Sequence, residues 1–293
     1  VTELSRLPHV RRLIRLALEE DIGHGDVTTD ALVAPEDAGV GEVAAKEPLV
    51  LAGCDLAAGV FRELDPRVAF EALRADGDRL EAGDVLCRLA GPTRSLLTGE
   101  RTALNFLQRL SGIATHVRRH ADALGSRRVR LVDTRKTTPG WRVLEKYAVR
   151  VGGAWNHRMG LDDGILVKDN HIAAAGGIPE AVRRAREAAG HMSRIEVEVA
   201  DRRELDQALA AGVDIVMLDN MDLAAVREAV AAVDGRALVE ISGGVTLDRL
   251  PALADAGADI ISCGALTHSA TAVDISMSIG PAPRATARPP RKR

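Results

Sequence analysis

The sequence predicts an α/β protein whose larger part is a parallel sheet closed, or nearly closed, into a barrel. Three observations predict it. From Arg127 onward, short apolar runs alternate with alanine-rich helical segments that carry charged outer faces, the β-α rhythm of a parallel sheet. The runs end in polar and cationic residues, as strands do where a parallel sheet builds a site at its carboxyl edge. The series is also continuous, with seven runs at 129–132, 149–152, 165–167, 195–199, 215–218, 238–241 and 260–263. Eight strands would be standard, so one is short or missing. The span from Gly153 to Ile165 is too short for a crossover helix, and the irregularity should lie there.

Ahead of this region, Leu7, Val10, Leu13, Ile14 and Leu18 recur at helical spacing and predict a helix over 4–20. The acidic-glycine run from Glu19 to Asp30 ends it, and Asp26, Thr28 and Thr29 read as backbone caps. Strand-like pieces at 41–45, 49–52, 68–73 and 85–89 surround a helix near 56–64, with Asp76-Gly77 and Ala82-Gly83-Asp84 as turns. This is a small α+β unit. A long helix follows from Thr93 to about Ala123, with a candidate break near Ser111-Gly112. Arg101, Asn105 and Gln108 lie along its polar edge, which by itself reads as a solvated helix face. Later helices are expected at 178–189, 202–211, 223–233 and 247–256. The Pro-, Ala- and Arg-rich tail 280–293 reads as disordered.

Composition excludes several function classes. Aromatic residues make up 2% of the chain, too few for a stacking surface for single-stranded nucleic acid. A net charge of -3 gives no global attraction to nucleic acid or anionic lipid, so any polyanion must be met locally. Cys54, Cys87 and Cys263 are scattered and read as buried thiols, neither a disulfide frame nor a zinc site. No signal peptide and no bilayer-spanning apolar stretch is evident, so a soluble, cytoplasmic protein is expected, with no nucleic-acid and no membrane partner.

The chemistry concentrates between Arg130 and Ile172. One apolar run ends in Asp133-Thr134-Arg135-Lys136-Thr137-Thr138-Pro139-Gly140, the next in Lys168-Asp169-Asn170-His171, and between them stands Asn156-His157-Arg158. Two arginines and two lysines at such ends ask for an anionic substrate with several negative groups. Later strand ends bring Glu196 and Glu198, two apart and therefore on one side of a strand, and Asp219-Asn220. Glu240 follows, with Ser242-Gly243-Gly244 and Gly264-Ala265. The glycines fit a phosphate cradle of bare backbone N–H groups. Glu198 and Asp219 could hold Mg²⁺ or the hydroxyls of a sugar; their plainer role is a salt bridge to Lys168. There is no G-x-G-x-x-G, Walker A, H-E-x-x-H or nucleophile-elbow motif. The site therefore looks electrostatic, gathering anions rather than attacking.

With these segments, and with Glu100-Arg101-Thr102-Ala103-Leu104-Asn105-Phe106-Leu107-Gln108, Ser111-Gly112-Ile113-Ala114-Thr115 and Gly264-Ala265-Leu266-Thr267-His268, the chain resembles the quinolinate phosphoribosyltransferases from about residue 13 to 278. The resemblance implies an N-terminal α/β sandwich (1–112, including the long helix), a seven-stranded α/β barrel (113–273) and a return segment (274–279) packing on the first domain. It implies a homodimer, sometimes further assembled, that uses Mg²⁺. The expected reaction joins quinolinate to phosphoribosyl pyrophosphate, giving nicotinate mononucleotide, pyrophosphate and CO₂ on the route to NAD. By the same resemblance Arg135, Lys136, His157 and Arg158 form the quinolinate cage with Thr134, and Lys168 lies near both substrates. Glu198 and Asp219 stand by the ribose and its metal, and Ser242, Gly243, Gly244, Gly264 and Ala265 hold the 5-phosphate. Arg101 becomes the arginine that a partner subunit inserts. The nearest alternative is a sister phosphoribosyltransferase acting on nicotinate or another ring monocarboxylate. A non-catalytic phosphosugar sensor is the alternative from another class.

Overall fold

A computed structural model describes residues 3–282. The chain divides into two compact units, one running to Gly112 and resuming at Ala272, the other spanning Ile113–Thr271. The division falls inside a single helix.

In the first unit, Leu4–Arg6 form one 3₁₀ turn before α1 (Pro8–Ile22), in which Val10, Ile14 and Leu18 fall one turn apart and are buried. The acidic-glycine run caps α2 (Val27–Leu32): Asp26 accepts from the Thr29 amide at 3.0 Å and from its hydroxyl at 2.6 Å. β1 (Ala38–Ala45) alternates buried and half-exposed residues, as a strand covered on one face must. β2 (Leu49–Val50), α3 (Cys54–Leu64), β3 (Ala69–Ala72), β4 (Arg79–Leu80) and β5 (Val85–Pro92) follow. The last strand of the chain, β12 (Ile275–Pro281), returns to pair antiparallel with β1, giving a four-stranded sheet of order β12-β1-β5-β3 beside the short β2-β4 ribbon. Gly280 and Pro281 are thus still in a paired strand, so extended structure reaches further than the Pro/Arg composition suggests. The rest of the expected disordered tail, 283–293, lies outside the described residues.

α4 (Thr93–Leu124) runs unbroken through Ser111-Gly112. The small residues there serve packing rather than a break. The buried Ser111 hydroxyl donates to the Ala52 carbonyl at 3.2 Å and accepts from the Ala52 amide at 3.0 Å.

The second unit is built on β6 (Arg130–Val132), β7 (Ile165–Val167), β8 (Ile195–Val199), β9 (Ile215–Asp219), β10 (Leu238–Ser242) and β11 (Ile260–Ser262). All are parallel, in the order β6-β11-β10-β9-β8-β7. Their nearly continuous apolar runs are buried, as expected for strands covered on both faces. The helices between them are α5 (Arg142–Gly152), α6 (Asp169–Ala175), α7 (Ile178–Ala188), α8 (Arg202–Ala210), α9 (Leu223–Val233), α10 (Leu250–Ala254) and α11 (Ala265–His268). Asp201 and Asp222 cap α8 and α9 through side-chain oxygens.

One expected strand is wrong. Residues 149–152 end α5, because Leu144, Ala148, Val149 and Gly152 recur at helical spacing and are all buried. The irregularity does fall after Gly153. Trp155 makes a single parallel bridge to Val132, its amide donating to the Leu131 carbonyl at 2.8 Å while its own carbonyl accepts from the Asp133 amide at 3.1 Å. The sheet is therefore six strands plus one residue-long bridge beside β6.

Candidate active site

Because the six strands run parallel, their carboxyl ends share one edge, and the polar segments singled out in the second unit follow or lie on one of them, except Asn156-His157-Arg158, which follows the Trp155 bridge beside β6. The β6 end opens with Asp133, fully buried. Its carboxylate accepts from Lys146 Nζ at 2.5 Å, from the Asn156 amide group at 2.7 Å and from the His157 backbone N–H at 2.8 Å. Burial raises its pKa, against the pull of these donors. Beyond it, the Thr134 hydroxyl accepts from the Lys136 amide at 3.1 Å, and Arg135 and Lys136 are exposed. Many arginines of this chain face a carboxylate, but among the described residues neither Arg135 nor Lys136 has an ion-pair partner.

His157 and Arg158 sit on the loop after Trp155. Arg158 is half-buried; burial and then the nearby charge of Arg135 lower its pKa, while Glu196 and Asp163 oppose. Two like-charged guanidiniums held this near one another define a place for an anion. His157 Nε2 lies 3.2 Å from Glu196 and 3.5 Å from Glu240, on the alternate strands β8 and β10. Burial disfavours an imidazolium at this depth, but hydrogen bonds to Glu196 and Glu240 outweigh it and push His157 up to about 10. Burial also raises Glu196, helped by the Glu240 charge and opposed by His157. The Arg158 amide donates to His157 Nδ1 at 2.8 Å, which asks that nitrogen to keep its lone pair. The extra proton therefore belongs to the triad, shared between Nε2 and the carboxylates.

The second oxygens, Oε1 of Glu196 and of Glu240, are buried without a hydrogen-bond partner. An orphaned acceptor costs about 1–3 kcal/mol, so this cluster is not there for stability. One ligand atom from each of His157, Glu196 and Glu240 lies within 4.8 Å of the others, a set that could coordinate a divalent cation. With Nδ1 accepting, however, the hydrogen sits on Nε2, and the ring as placed faces the carboxylates as a donor.

At the β7 end, the Lys168 amide donates to His171 Nδ1 at 3.0 Å, and its ammonium forms a close ion pair with Glu198. Glu198 and Asp219 stand at the ends of adjacent strands, both half-exposed. The Asn220 side chain donates to Asp219 at 2.7 Å, and the Asn220 backbone N–H donates to the Ser242 carbonyl at 3.0 Å. Gly243 (φ +85°) crosses close to Asn220, where a Cβ would sit 2.2 Å from Oδ1 and 2.9 Å from the backbone nitrogen. Gly264 precedes α11, and a Cβ there would meet the Lys136 stem at 2.9 Å. The buried Thr267 hydroxyl donates to the Lys136 carbonyl at 2.8 Å, so the cationic loop after β6 is fastened to the Gly264-Ala265 loop after β11.

The second unit thus gathers Thr134, Arg135, Lys136, His157, Arg158, Lys168, Glu198, Asp219, Ser242, Gly243, Gly244, Gly264 and Ala265 at one sheet edge. Arg101 belongs to the first unit, exposed on α4 and lining a cavity with Asp21, Gly25, Asp26 and Thr98. Sequence reasoning gave no role to Glu145, Lys146 or Asn156. The signal was available, since Glu145 and Lys146 lie beside Leu144, Ala148 and Val149 on a helix that must bury that face.

A parallel α/β sheet with cations, carboxylates and bare glycines along its carboxyl edge defines an enzyme that brings anions together. The family model described as quinolinate phosphoribosyl transferase, C-terminal domain, matches residues 113–278, and the corresponding N-terminal domain matches 26–111. The chain is 46% identical over 270 residues to a probable nicotinate-nucleotide pyrophosphorylase [carboxylating] of Bacillus subtilis, covering 92% of this chain and 93% of that one. It is 42% identical to the nicotinate-nucleotide pyrophosphorylase [carboxylating] of Mycobacterium leprae, over 92% and 96% of the two chains. Among solved structures, NadC from Streptococcus pyogenes superposes with a TM-score of 0.90 at 43% identity, over 93% and 96% of the chains. The nicotinate-nucleotide pyrophosphorylase from Francisella tularensis gives 0.89 at 40%, over 96% and 100%. The chain belongs to the quinolinate phosphoribosyltransferase family.

Proposed function

We propose that this protein transfers the phosphoribosyl group of phosphoribosyl pyrophosphate to quinolinate with loss of CO₂, making nicotinate mononucleotide and pyrophosphate for NAD synthesis. The observation that carries the reading is the pair of cations without carboxylate partners, Arg135 and Lys136, set beside Arg158 at the edge that also bears the glycine loops. A pyridine dicarboxylate supplies two negative groups for that cluster. Arg135, Lys136, Arg158 and His157, with Thr134, bind it. Ser242, Gly243, Gly244, Gly264 and Ala265 cradle the 5-phosphate. Lys168 stands between the two halves.

In this reading, the cage neutralises charges that would otherwise keep two anions apart and holds the pyridine nitrogen in line with ribose C1. As pyrophosphate leaves, positive charge grows at C1, and Glu198 and Asp219 favour it electrostatically. Quaternisation of the nitrogen makes the ring an electron sink, so the 2-carboxylate departs as CO₂ and C2 takes a proton. Glu198 and Asp219 offer hard carboxylate oxygens at neighbouring strand ends, a donor set that fits Mg²⁺ directly or through water. When bound, the ion would neutralise the pyrophosphate group as it leaves.

The same proposal includes a seventh strand at Trp155 that closes the sheet into a barrel, a homodimer in which Arg101 reaches the partner's quinolinate pocket, a higher assembly in some conditions, and a cytoplasmic setting. Among the described residues no helix is long and apolar enough to cross a membrane.

The test is one assay. Quinolinate labelled in its 2-carboxylate is mixed with phosphoribosyl pyrophosphate and Mg²⁺, and both nicotinate mononucleotide and labelled CO₂ are followed. Equal release of the two is expected, abolished by EDTA and restored by Mg²⁺. Turnover of nicotinate in place of quinolinate, without CO₂, would replace this reading with the monocarboxylate alternative.

A further inference from the structure

Resting on that reading, we propose that α5 is a clamp that sets both cationic loops of the quinolinate cage, with Lys146, Glu145 and Arg142 as positioning residues that touch no substrate. The three are spaced i, i+3, i+4 from Arg142 and therefore share one face of the helix. That face bonds to both loops. Toward the loop carrying Arg135 and Lys136, Glu145 accepts from the Thr138 hydroxyl at 2.8 Å and the Thr138 amide at 3.2 Å, and Arg142 Nε donates to the Thr137 hydroxyl at 3.1 Å. Toward the loop carrying His157 and Arg158, Lys146 Nζ donates to the His157 carbonyl at 2.8 Å, and Arg142 Nη1 donates to the Met159 carbonyl at 3.2 Å. Asp133 joins the two. It begins the first loop, accepts from Lys146, and also accepts from the His157 amide. Asn156 closes the ring by donating to both Asp133 and the Lys146 carbonyl.

The His157 backbone is therefore held on both sides, its N–H by Asp133 and its C=O by Lys146. That fixes the direction in which the His157 and Arg158 side chains leave the backbone. Lys146, Asp133 and Glu145 are all at most 1% exposed. A buried ion pair of this kind is weak as a source of stability, since well-packed apolar residues of the same volume often serve as well or better. What an apolar pair cannot do is bond to the backbone of a loop. Charge is kept under the cage because the loops need donors and acceptors at fixed points, and misplacing a binding group by about 1 Å can cost on the order of a hundredfold.

The test compares three variants with the wild-type chain. Arg142→Met removes two loop bonds without stranding a buried carboxylate, Lys146→Met strands Asp133, and Asp133→Asn with Lys146→Gln keeps a neutral hydrogen-bonded pair in place. Steady-state kinetics are run with each substrate varied, alongside calorimetric affinity for benzene-1,2-dicarboxylate and thermal melting. Arg142→Met and Lys146→Met should lose about tenfold or more in kcat/KM for quinolinate and in dicarboxylate affinity, with KM for phosphoribosyl pyrophosphate changed less than about twofold. The neutral pair should recover most of the loss. Losses that fall on both substrates alike, in step with melting temperature, would overturn the clamp, as would an Arg142→Met enzyme with unchanged quinolinate constants. A wild-type chain that binds the dicarboxylate but makes no nicotinate mononucleotide sinks the reaction and leaves the clamp to be judged on affinity; one that binds neither overturns both.

Discussion

Replacing Gly243 by Ala should damage the phosphosugar half of the site more than its loss of stability explains. Gly243 stands at φ +85°, where an L-residue pays about 1–2 kcal/mol. Its Cβ would also fall 2.2 Å from Asn220 Oδ1, 2.6 Å from Cγ and 2.9 Å from the backbone nitrogen. The amide oxygen can swing aside. The nitrogen cannot, because it donates to the Ser242 carbonyl and Asn220 is itself held at φ +55°. Overpacking against such a neighbour adds about 1–3 kcal/mol, for a total of roughly 2–5 kcal/mol. In a unit of this size that is a fall of very roughly 4–20 °C in melting temperature.

Relief of the contact must come from movement of the Ser242-Gly243-Gly244 loop, so kcat/KM for phosphoribosyl pyrophosphate should fall on the order of 10–100-fold while dicarboxylate affinity holds. Gly244→Ala is the control. Its φ of +56° carries the same conformational cost, but the nearest atom to its Cβ is the movable end of Arg249, at 3.2 Å. Melting curves and initial rates on both variants decide the matter. If Gly243→Ala behaves like Gly244→Ala, the approach of Asn220 does not shape the cradle and the argument fails.

Two further outcomes follow from the charges. The folded pKa of His157, about 10, stands above its ordinary 6.5, and Glu196 is also raised, so the folded triad keeps protons that the unfolded chain releases. The His157 share of this stabilisation is complete below about pH 6.5 and the Glu196 share only below about pH 4.5, and both are lost as pH climbs, so denaturant-unfolding free energy should decline as pH rises towards 10. His157→Asn with Glu196→Gln should flatten that decline; equal slopes in variant and wild type would refute the coupling. If the proposed dimer shares Arg101 across its interface, Arg101→Ala and Lys168→Met are each expected to be nearly inactive, yet mixed and re-associated subunits should regain activity, since one site of each heterodimer is then intact. No recovery in a mixture shown by mass spectrometry to contain heterodimers would place Arg101 in its own subunit's site.

The sheet was legible because its signal is local. Apolar runs bounded by polar ends at 165–167, 195–199 and 215–218 can hardly be anything but buried parallel strands. The failure at 149–152 has the same origin, since a four-residue apolar run looks alike on strand and helix until Leu144 and Ala148 are counted into its period. Trp155 was missed as a strand because one bridged residue carries no pattern. The positions proposed to bind substrate were readable as a charge surplus at strand ends. The residues beneath them were not, because a Lys or Glu on a helix is read as solvent-facing unless its partner is known, and Lys146 meets Asp133 only in three dimensions.

The distribution of carboxylates explains how a chain of net charge -3 can attract a dianion. Four acids close to the cage are engaged within the fold. Asp133 is spent on Lys146, Asn156 and a backbone amide, Glu145 on Thr138, and Glu196 and Glu240 on His157. Each lies under the loops, where it fixes a backbone or a ring and leaves Arg135 and Lys136 without an internal counter-ion. A cage built from surface lysines alone would have the same formal charge, but it would have to order its side chains as the substrate arrived. Here folding fixes the backbone of both loops and the His157 ring, so only the Arg135 and Lys136 side chains are left to settle as the anion comes. The cost appears where it would be expected, in two buried carboxylate oxygens with no partner.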